Sequence, residues 1–307
     1  MEFSHVSVML NKAVDGLNIK KDGYYVDCTT GGGGHSYEIA SRLSENGRLF
    51  CFDRDPEAIE AAKKRLAPFA DRITFINRNF CEVGEVLEGI ELDGAIIDLG
   101  VSSYQLDNAE RGFSYMKNAP LDMRMNQNDP KTAYDVVNYY GKEELIKILR
   151  DYGEEKFAPK IASYIVNQRE NKPIETTEEL ADIVKRAYGP AAKNDSGHPA
   201  KRTFQAIRIE VNGELAVIEP TLRMLTDMLK PEGRLSVITF HSLEDRIVKQ
   251  TFAALAKGCT CPPKLPICVC GKKPTLELIV KGDLPDEEEL ENNSRSKSAK
   301  LRVAEKI

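Results

Sequence analysis

Short apolar runs that alternate with a helical pattern constrain the fold of this chain more than any other feature. The runs are predicted to form buried strands at 24–28, 48–53, 73–76 and 92–99. Between the second and third runs, residues 56–66 have Pro in the first helical turn, acidic residues early and basic residues late, as the helix dipole favours. Strands that alternate with helices predict βαβ units and a parallel sheet.

The alternation is interrupted in the middle of the chain and then resumes. Residues 107–208 have mainly helical patterns, among them an amphipathic stretch that opens with the capping residue Thr177. Further strands are predicted at 234–240, 276–280 and 300–304. We therefore predict an α/β fold in which a discontinuous sheet domain, 1–106 with 209–307, carries a mainly helical insertion at 107–208.

Composition excludes several classes of protein. The 307 residues are 41% hydrophobic and 30% charged, which is typical of a globular chain with a large core. No apolar run approaches the roughly 18 residues of a membrane span, and no signal-peptide pattern is present. We therefore expect a cytoplasmic protein without a membrane partner. The net charge of −5 excludes a globally basic nucleic-acid-binding surface but not a local one.

Candidate ligand-binding residues directly follow the first two strands. In open α/β sheets, ligands bind beyond the carboxyl ends of the strands. Four glycines at 31–34, then His35 and a helix, allow the backbone to approach a ligand closely. Their spacing fits neither the dinucleotide-binding fingerprint nor a P-loop. Asp53, about 20 residues farther on, can accept hydrogen bonds from both ribose hydroxyls of NAD or of S-adenosylmethionine.

The next two strands add further candidates. Asn79 and Phe80 follow the third strand and suit a position beside an adenine ring. Asp98 follows the fourth strand at the predicted centre of the sheet, and Ser102 and Gln105 come soon after it. We predict Asp98 as a catalytic residue that accepts an N–H hydrogen bond, with Ser102 as a second acceptor.

Longer motifs resemble the RsmH (MraW) family of class I S-adenosylmethionine-dependent methyltransferases, and the resemblance runs from end to end. The matching segments lie at 5–10, 32–36, 98–107, 111–114, 120–125, 202–208, 229–234, 241–246 and 294–302. Two departures are Ser7, where the family often has Pro, and Glu232, where Gly is common. Neither falls on the cofactor-binding pattern of the family.

The resemblance implies both a fold and a reaction. The fold is a Rossmann-like sheet, mostly parallel and seven-stranded. The reaction is N4-methylation of one cytidine in 16S ribosomal RNA near the decoding site. The implied substrate is the RNA or the small ribosomal subunit, and the implied methyl donor is S-adenosyl-L-methionine. The family's cofactor-binding pattern carries over onto Gly33, Gly34, His35, Asp53, Phe80, Asp98 and Gln105. A homodimer is left open.

Two other functions share part of this sequence evidence. A nicotinamide-dependent oxidoreductase would use the same glycine loop and Asp53, but the glycine spacing argues against it. A non-catalytic RNA-binding or assembly factor would need no cofactor site, so the intact glycine loop, Asp53 and Asp98 argue against it. Transfer of labelled methyl groups to ribosomal RNA would separate the three functions.

Cysteines and histidines suggest further sites. Cys259, Cys261, Cys268 and Cys270 lie among prolines and resemble a small zinc knuckle, although the spacing is C-x-C. A structural zinc is therefore one prediction, and a metal-free loop with reduced thiols is the alternative. The odd total of seven cysteines argues against a disulfide framework. His35 and His241 both follow predicted strands, and we expect both near the site.

Local basic runs are candidates for RNA contacts. Residues 294–302 contain no acidic residue and four basic ones, two of which are Arg295 and Lys297. Lys201 and Arg202 lie in a second such run at 198–208. We predict that these four side chains contact phosphates, and the alternative is a solvated charge run. The acidic segment 283–293 is expected to be a solvated loop.

Overall fold

The computed structural model describes residues 7–190, 197–257, 259, 261–262, 267 and 269–307. The chain divides into two compact units. Unit 1 comprises Met1–Gly100 and Leu215–Ile307, and unit 2 comprises Val101–Glu214.

A seven-stranded sheet forms the centre of unit 1. Its strands are β1 Tyr24–Asp27, β2 Arg48–Phe52, β3 Ile73–Ile76, β4 Leu92–Asp98, β5 Leu229–Thr239, β6 Leu276–Asp283 and β7 Lys300–Lys306. The spatial order is β3-β2-β1-β4-β5-β7-β6. The first five strands pair in parallel, and β7 is antiparallel to both β5 and β6. The predicted α/β class with a mostly parallel, seven-stranded sheet is confirmed.

Strand β5 begins earlier than the sequence predicts. Leu229 already pairs with Leu92, and the regular register resumes where Gly94 pairs with Arg234. The residues between include Glu232, whose φ of 65° lies in the left-handed region. That region favours glycine, which gives a physical reason why Gly is expected at this position of the family pattern.

Helices cover the sheet and fill unit 2. In chain order they are α1 Leu10–Gly16, α2 Gly34–Arg42, α3 Pro56–Arg65, α4 Val83–Val86, α5 Ser103–Asp107, α6 Ala133–Tyr139, α7 Lys142–Asp151, α8 Ala158–Arg169, α9 Thr177–Tyr188, α10 Ala200–Asn212, α11 Ile218–Met228, α12 Ser242–Lys257 and α13 Glu287–Asn292. No helix of the described residues is long and apolar enough to span a membrane.

Side chains that alternate along the strands build two cores in unit 1. Tyr25 and Ile96 pack with α1, α2 and α3 on one face of the sheet. Val26 and Ile97 pack with α4, α11 and α12 on the other. Because both faces are covered, the parallel strands read as continuous apolar runs. The carboxyl ends of the strands then form the edge at which polar side chains collect.

Unit 2 is built around a separate hydrophobic core of helices α6 to α10. Among its described residues the only β pairing is an isolated bridge between Pro120 and Thr176. The hydroxyl of Thr176, one residue before the predicted capping residue Thr177, accepts from the Glu179 N–H at the start of α9. Glu179 returns a bond to the Thr176 N–H, which completes a capping box.

Most residues of the segment 283–293 are exposed, as predicted, but the prediction that it is a loop is wrong. The segment contains α13, which Asp286 caps by accepting from the Glu289 N–H at 3.0 Å. Glu289 also accepts from the Met9 N–H at 2.5 Å, and Asp286 forms an ion pair with Lys12 at 3.1 Å. The acidic residues therefore stabilise a helix start and fasten it to the chain around α1.

Candidate functional site

Three aspartates lie at the carboxyl ends of neighbouring strands of unit 1. Asp27 ends β1, Asp98 ends β4, and Asp53 follows β2. Since β1 lies between β2 and β4, their carboxyl ends meet at one edge of the sheet. Asp27 is 1% exposed and accepts from Ser36 Oγ at 2.5 Å and from the Thr29 N–H at 3.1 Å. Burial raises the pKa of Asp27 to about 6.

The glycine loop between β1 and α2 is fixed by its conformation and by Asp53. Gly33 caps α2 with φ of 77°, a left-handed conformation that a residue with a Cβ adopts at a cost. A Cβ on Gly34 would lie 1.8 Å from Ser7 Oγ, so only glycine permits this close approach. A Cβ on Gly32 would meet nothing within 4 Å. The loop therefore has open space beside its exposed backbone at Gly32.

Asp53 is oriented by two backbone donors. Its Oδ2 accepts from the Gly31 N–H at 2.8 Å, and its Oδ1 accepts from the Asp55 N–H at 2.9 Å. Burial raises the pKa of Asp53 to about 6, although these two bonds oppose the shift. The N-cap of α3 is Asp55, which accepts from the Glu57 N–H. Asp53 is thus left to face a ligand from the end of β2.

Asp98 is held in a different way at the centre of the sheet. Its N–H donates to Thr29 Oγ1 at 2.7 Å, but the buried carboxylate atom Oδ1 has no hydrogen-bond partner among the described residues. The side chain as a whole is 24% exposed. Burial, and then the negative charges of Asp27, Glu244 and Glu289, raise the pKa of Asp98 well above its usual value.

His35 lies between the N-terminal segment and Asp98. The ring is 5% exposed, and Nε2 lies 3.1 Å from the Val8 carbonyl oxygen. Because a carbonyl only accepts, Nε2 carries the hydrogen of this bond. Nδ1 faces Asp98 Oδ2 at 3.7 Å. The structure therefore brings together the predicted site residues His35 and Asp98.

The residues after β3 form a turn of 3₁₀ helix, Phe80–Glu82. Asn79 caps this turn, and its side chain accepts from the Cys81 N–H at 3.2 Å. Phe80 is half-buried and packs against the core. The strand itself ends at Ile76, as predicted, so Asn79 and Phe80 come shortly after it.

Ser102 and Gln105, which the sequence assigns to the site, belong to unit 2 and cap α5 together. Ser102 Oγ accepts from the Gln105 N–H at 3.3 Å, and Gln105 Oε1 accepts from the Ser102 N–H at 3.1 Å. This capping box gives both side chains a structural role. The cofactor and catalytic roles of the two residues remain predictions.

His241 lies at the start of α12 beside Glu244. Its Nε2 is 3.0 Å from Glu244 Oε1, and Glu244 Oε2 accepts from the Phe240 and His241 N–H groups. Glu244 is 1% exposed. The sequence analysis missed Glu244 and Glu289 as neighbours of Asp98. Glu244 stands in a recognised motif, whereas Glu289 stands in the segment interpreted as a loop.

The basic runs are only partly available for phosphates. Lys300 and Arg302 of the C-terminal run pair with Asp245 at 3.2 and 2.7 Å. Arg208 of the other run forms two hydrogen bonds with Glu214. The side chains of Lys201 and Lys297 are exposed, and those of Arg202 and Arg295 are half-buried. The four residues predicted to contact RNA are thus outside these ion pairs with Asp245 and Glu214.

Three of the four predicted zinc ligands lie together. The sulfur atoms of Cys259, Cys261 and Cys270 are all within 4.8 Å of one another. Cys268, the fourth predicted ligand, lies outside the described residues.

The edge of the sheet has the chemistry of a site for a cationic, ribose-containing ligand. Carboxylates of Asp27, Asp53 and Asp98 concentrate negative charge there, which attracts a cation. Asp53 can accept from hydroxyl groups, and the partnerless Asp98 Oδ1 can accept from an N–H group. The sulfonium and amino groups of S-adenosylmethionine supply positive charge and N–H donors, so the residues present fit this cofactor.

Comparison with known proteins shows what this chain is similar to. The model of the MraW methylase family matches residues 2–307. The chain is 57% identical to the ribosomal RNA small subunit methyltransferase H of Clostridium botulinum (strain Kyoto / Type A2), and the match covers 100% of each chain. It is 55% identical to the protein of the same name from Clostridioides difficile (strain 630), again with full coverage of both. The corresponding protein of Brevibacillus brevis is 53% identical, over 100% of this chain and 99% of that protein.

Proposed function

The chain belongs to the MraW methylase family, and from this premise we propose that it methylates N4 of one cytidine in 16S ribosomal RNA near the decoding site. S-adenosyl-L-methionine would be the methyl donor, and the RNA or the small ribosomal subunit would be the substrate. The observation that carries the proposal is the buried Asp98 Oδ1, which has no hydrogen-bond partner among the described residues. Such a substrate places the enzyme in the cytoplasm.

The reaction demands alignment more than strong base catalysis. The N4 amine of cytosine is a weak nucleophile because its lone pair is delocalised into the ring, whereas the cofactor supplies an electrophilic methyl group on a positively charged sulfur. The N–C bond forms as the C–S bond breaks, and the sulfur keeps the electron pair. One proton must leave the nitrogen. The protein therefore has to hold the amine in line with the methyl group and accept a hydrogen bond from its N–H group.

Asp98 is the residue that we assign to this acceptor role. Its pKa is raised by burial and by Asp27, Glu244 and Glu289. A positive charge beside it lowers that pKa again, so a cationic cofactor restores the ionised, accepting form. His35 Nδ1 lies 3.7 Å from Asp98 Oδ2, so the ring packs beside this carboxylate. Ser102 is proposed as a second acceptor on the basis of its sequence position.

Cofactor binding is assigned to the residues of the family pattern. Asp53 accepts from the ribose hydroxyls, and the backbone at Gly33 and Gly34 approaches the cofactor beside the start of α2. Phe80 flanks the adenine, and Gln105 adds a polar contact. The predicted zinc takes no part in this chemistry.

RNA recognition is assigned to the helical insertion together with basic residues. The target base must leave its stack to reach the methyl group, and single-stranded RNA is where proteins most often read sequence. Lys201, Arg202, Arg295 and Lys297 would contact phosphates, which position the RNA without reading its sequence. Lys300 and Arg302 are excluded from this set because they pair with Asp245.

The test is transfer of labelled methyl groups from S-adenosylmethionine to small ribosomal subunits, or to their naked RNA, that lack this modification. Nucleosides released from the product are then separated and identified by mass spectrometry. We expect one N4-methylated cytidine per RNA and S-adenosylhomocysteine in equal amount. Methylation of another base, or of the ribose, contradicts the proposed target. Failure of labelled S-adenosylhomocysteine to bind contradicts the proposed cofactor, independently of any choice of substrate.

A further inference from the structure

The segment between α12 and β6 carries a cysteine cluster that methyl transfer does not use. Its two ends are joined, because the Thr275 N–H donates to the Leu255 carbonyl oxygen at 3.0 Å. The described apolar side chains of the segment point outward, with Ile267 75% and Val269 78% exposed. They therefore contribute nothing to a core. Among the described residues of the segment, apolar packing therefore does not account for its stability.

The spacing of the sulfur atoms has the geometry of a metal site. Cys270 Sγ and Cys259 Sγ are 3.8 Å apart, and all three described sulfur atoms lie within 4.8 Å of one another. Zinc–sulfur bonds of about 2.3 Å at a tetrahedral angle place neighbouring sulfur atoms about 3.8 Å apart. A disulfide would bring two of them to about 2.05 Å and would leave the third thiol outside it.

The chain around the cluster fits a metal site. The Val269 N–H donates to Cys261 Sγ at 3.4 Å, which orients that sulfur atom. Gly271, directly after Cys270, has φ of 64°, which lets the chain turn sharply. Residues 257–275 contain four lysines and no acidic residue. Their positive charge offsets the net negative charge of a zinc ion bound by three or four thiolates.

We propose that Cys259, Cys261 and Cys270 bind a structural zinc ion that ties the end of α12 to the start of β6. A structural zinc ion takes four ligands, so the fourth coordination position falls to a donor other than these three sulfur atoms. Each thiol that binds the ion releases its proton to solvent, and no electron is transferred. Zinc binding then stabilises the folded conformation of this segment, as a hydrophobic core stabilises other parts of the chain.

The first test is metal analysis of the full chain, purified under reducing conditions without chelator. We expect about one zinc ion per chain. Cys261→Ser and Cys270→Ser should each lose most of this zinc and lower the melting temperature by a few degrees. Cys81→Ser, which removes an exposed thiol outside the cluster, should keep full zinc content. Metal-free wild-type protein, or unchanged zinc in both cluster variants, overturns the proposal.

A second test on the wild-type protein covers the case in which the variants fail to fold. Zinc is removed with a chelator and replaced by cobalt, and absorption spectra report the ligands. We expect the intense visible bands of tetrahedral cobalt together with sulfur-to-cobalt charge transfer. Binding of S-adenosylhomocysteine, measured by calorimetry on the chelated protein, should be unchanged. Octahedral cobalt spectra without charge transfer, or a disulfide between cluster cysteines in unreduced peptides, would falsify the site.

Discussion

Asp53 and Asp98 follow two strands of the same sheet, and their carboxylates are held differently. At the end of β2, both oxygen atoms of Asp53 accept backbone N–H bonds, from Gly31 and Asp55. At the end of β4, Asp98 Oδ1 is buried and has no partner among the described residues, and burial followed by three other carboxylates raises the pKa of Asp98. The first carboxylate is oriented by the protein, and the second awaits a donor and a positive charge.

The difference separates binding from chemistry. An acceptor that is already oriented can meet fixed hydroxyl groups with little loss of entropy. A buried acceptor without a partner costs free energy until a ligand supplies one. That cost is recovered when an N–H group and a cation arrive. We therefore assign cofactor affinity mainly to the end of β2 and methyl transfer mainly to the end of β4.

The largest expected effect comes from Asp98→Asn. The substitution preserves the shape of the side chain but removes its negative charge. The carboxylate would accept a hydrogen bond from the amine N–H and stabilise the positive charge that develops on the nitrogen. We expect the rate of methyl transfer at saturating cofactor and RNA to fall about a hundred- to ten-thousand-fold. RNA affinity, measured by filter binding, should be unchanged within a factor of about three.

Asp93→Asn is the matched control on the same strand. Asp93 lies near the opposite end of β4, where it accepts from the Tyr24 N–H and pairs with Lys230 at 2.7 Å. The variant should lose stability by about 1–3 kcal/mol and keep its methyl-transfer rate. If the two variants lose the same fraction of activity, Asp98 acts through stability alone and the distinction between the two strand ends fails.

The second effect is on cofactor affinity. Asp53→Ala removes the acceptor for the ribose hydroxyls and leaves the Gly31 and Asp55 N–H groups without their carboxylate. We expect binding of S-adenosylmethionine to weaken by about 1.5–3 kcal/mol, the scale of charge-assisted hydrogen bonds. Calorimetry gives the affinity, and circular dichroism checks that the fold is retained. Unchanged affinity would remove Asp53 from the ribose site.

The third effect is a pH dependence with two opposite signs. The folded pKa of Asp27 and of Asp53 is about 6, above the value of about 3.9 expected in the unfolded chain. The stability that these two groups contribute is therefore fully present below pH 4 and is lost as pH rises through 6. If cofactor binding needs both carboxylates ionised, affinity should fall about tenfold for each, or about a hundredfold for the two, as pH drops from 7 to 5.

Unfolding followed with and without S-adenosylhomocysteine between pH 5 and pH 8 measures both trends. The increase in melting temperature that the ligand causes should grow with pH. In Asp53→Asn this growth should be smaller, because one of the two titrating groups is gone. An increase in melting temperature that is constant with pH would show that the cofactor does not distinguish the ionised carboxylates.

The sequence predicts the site where local pattern and chemistry coincide. Asp27, Asp53 and Asp98 each follow an apolar run, so their places at the sheet edge follow from strand ends alone. Glu289 could not be found in this way, because its place beside the Met9 N–H depends on contacts between segments 280 residues apart. The ion pairs of Asp245 with Lys300 and Arg302 are equally nonlocal. Charge runs therefore overstate the positive charge that is available to RNA.

The smallest expected effect on RNA binding and methyl transfer comes from replacing the basic side chains. Arg202, Arg295 and Lys297, all replaced by Ala, should weaken RNA binding several-fold at moderate salt. The slope of log affinity against log salt should flatten by about 0.7 for each lost phosphate contact, or about two units for the three. Cofactor affinity and the rate at saturating RNA should not change.

Lys300→Ala is the matched control. The charge of Lys300 is paired with Asp245, so its loss should leave the slope as it is. An unchanged slope in the triple variant would place the RNA elsewhere, whereas a lower rate at saturating RNA would mean that phosphate contacts also align the base with Asp98.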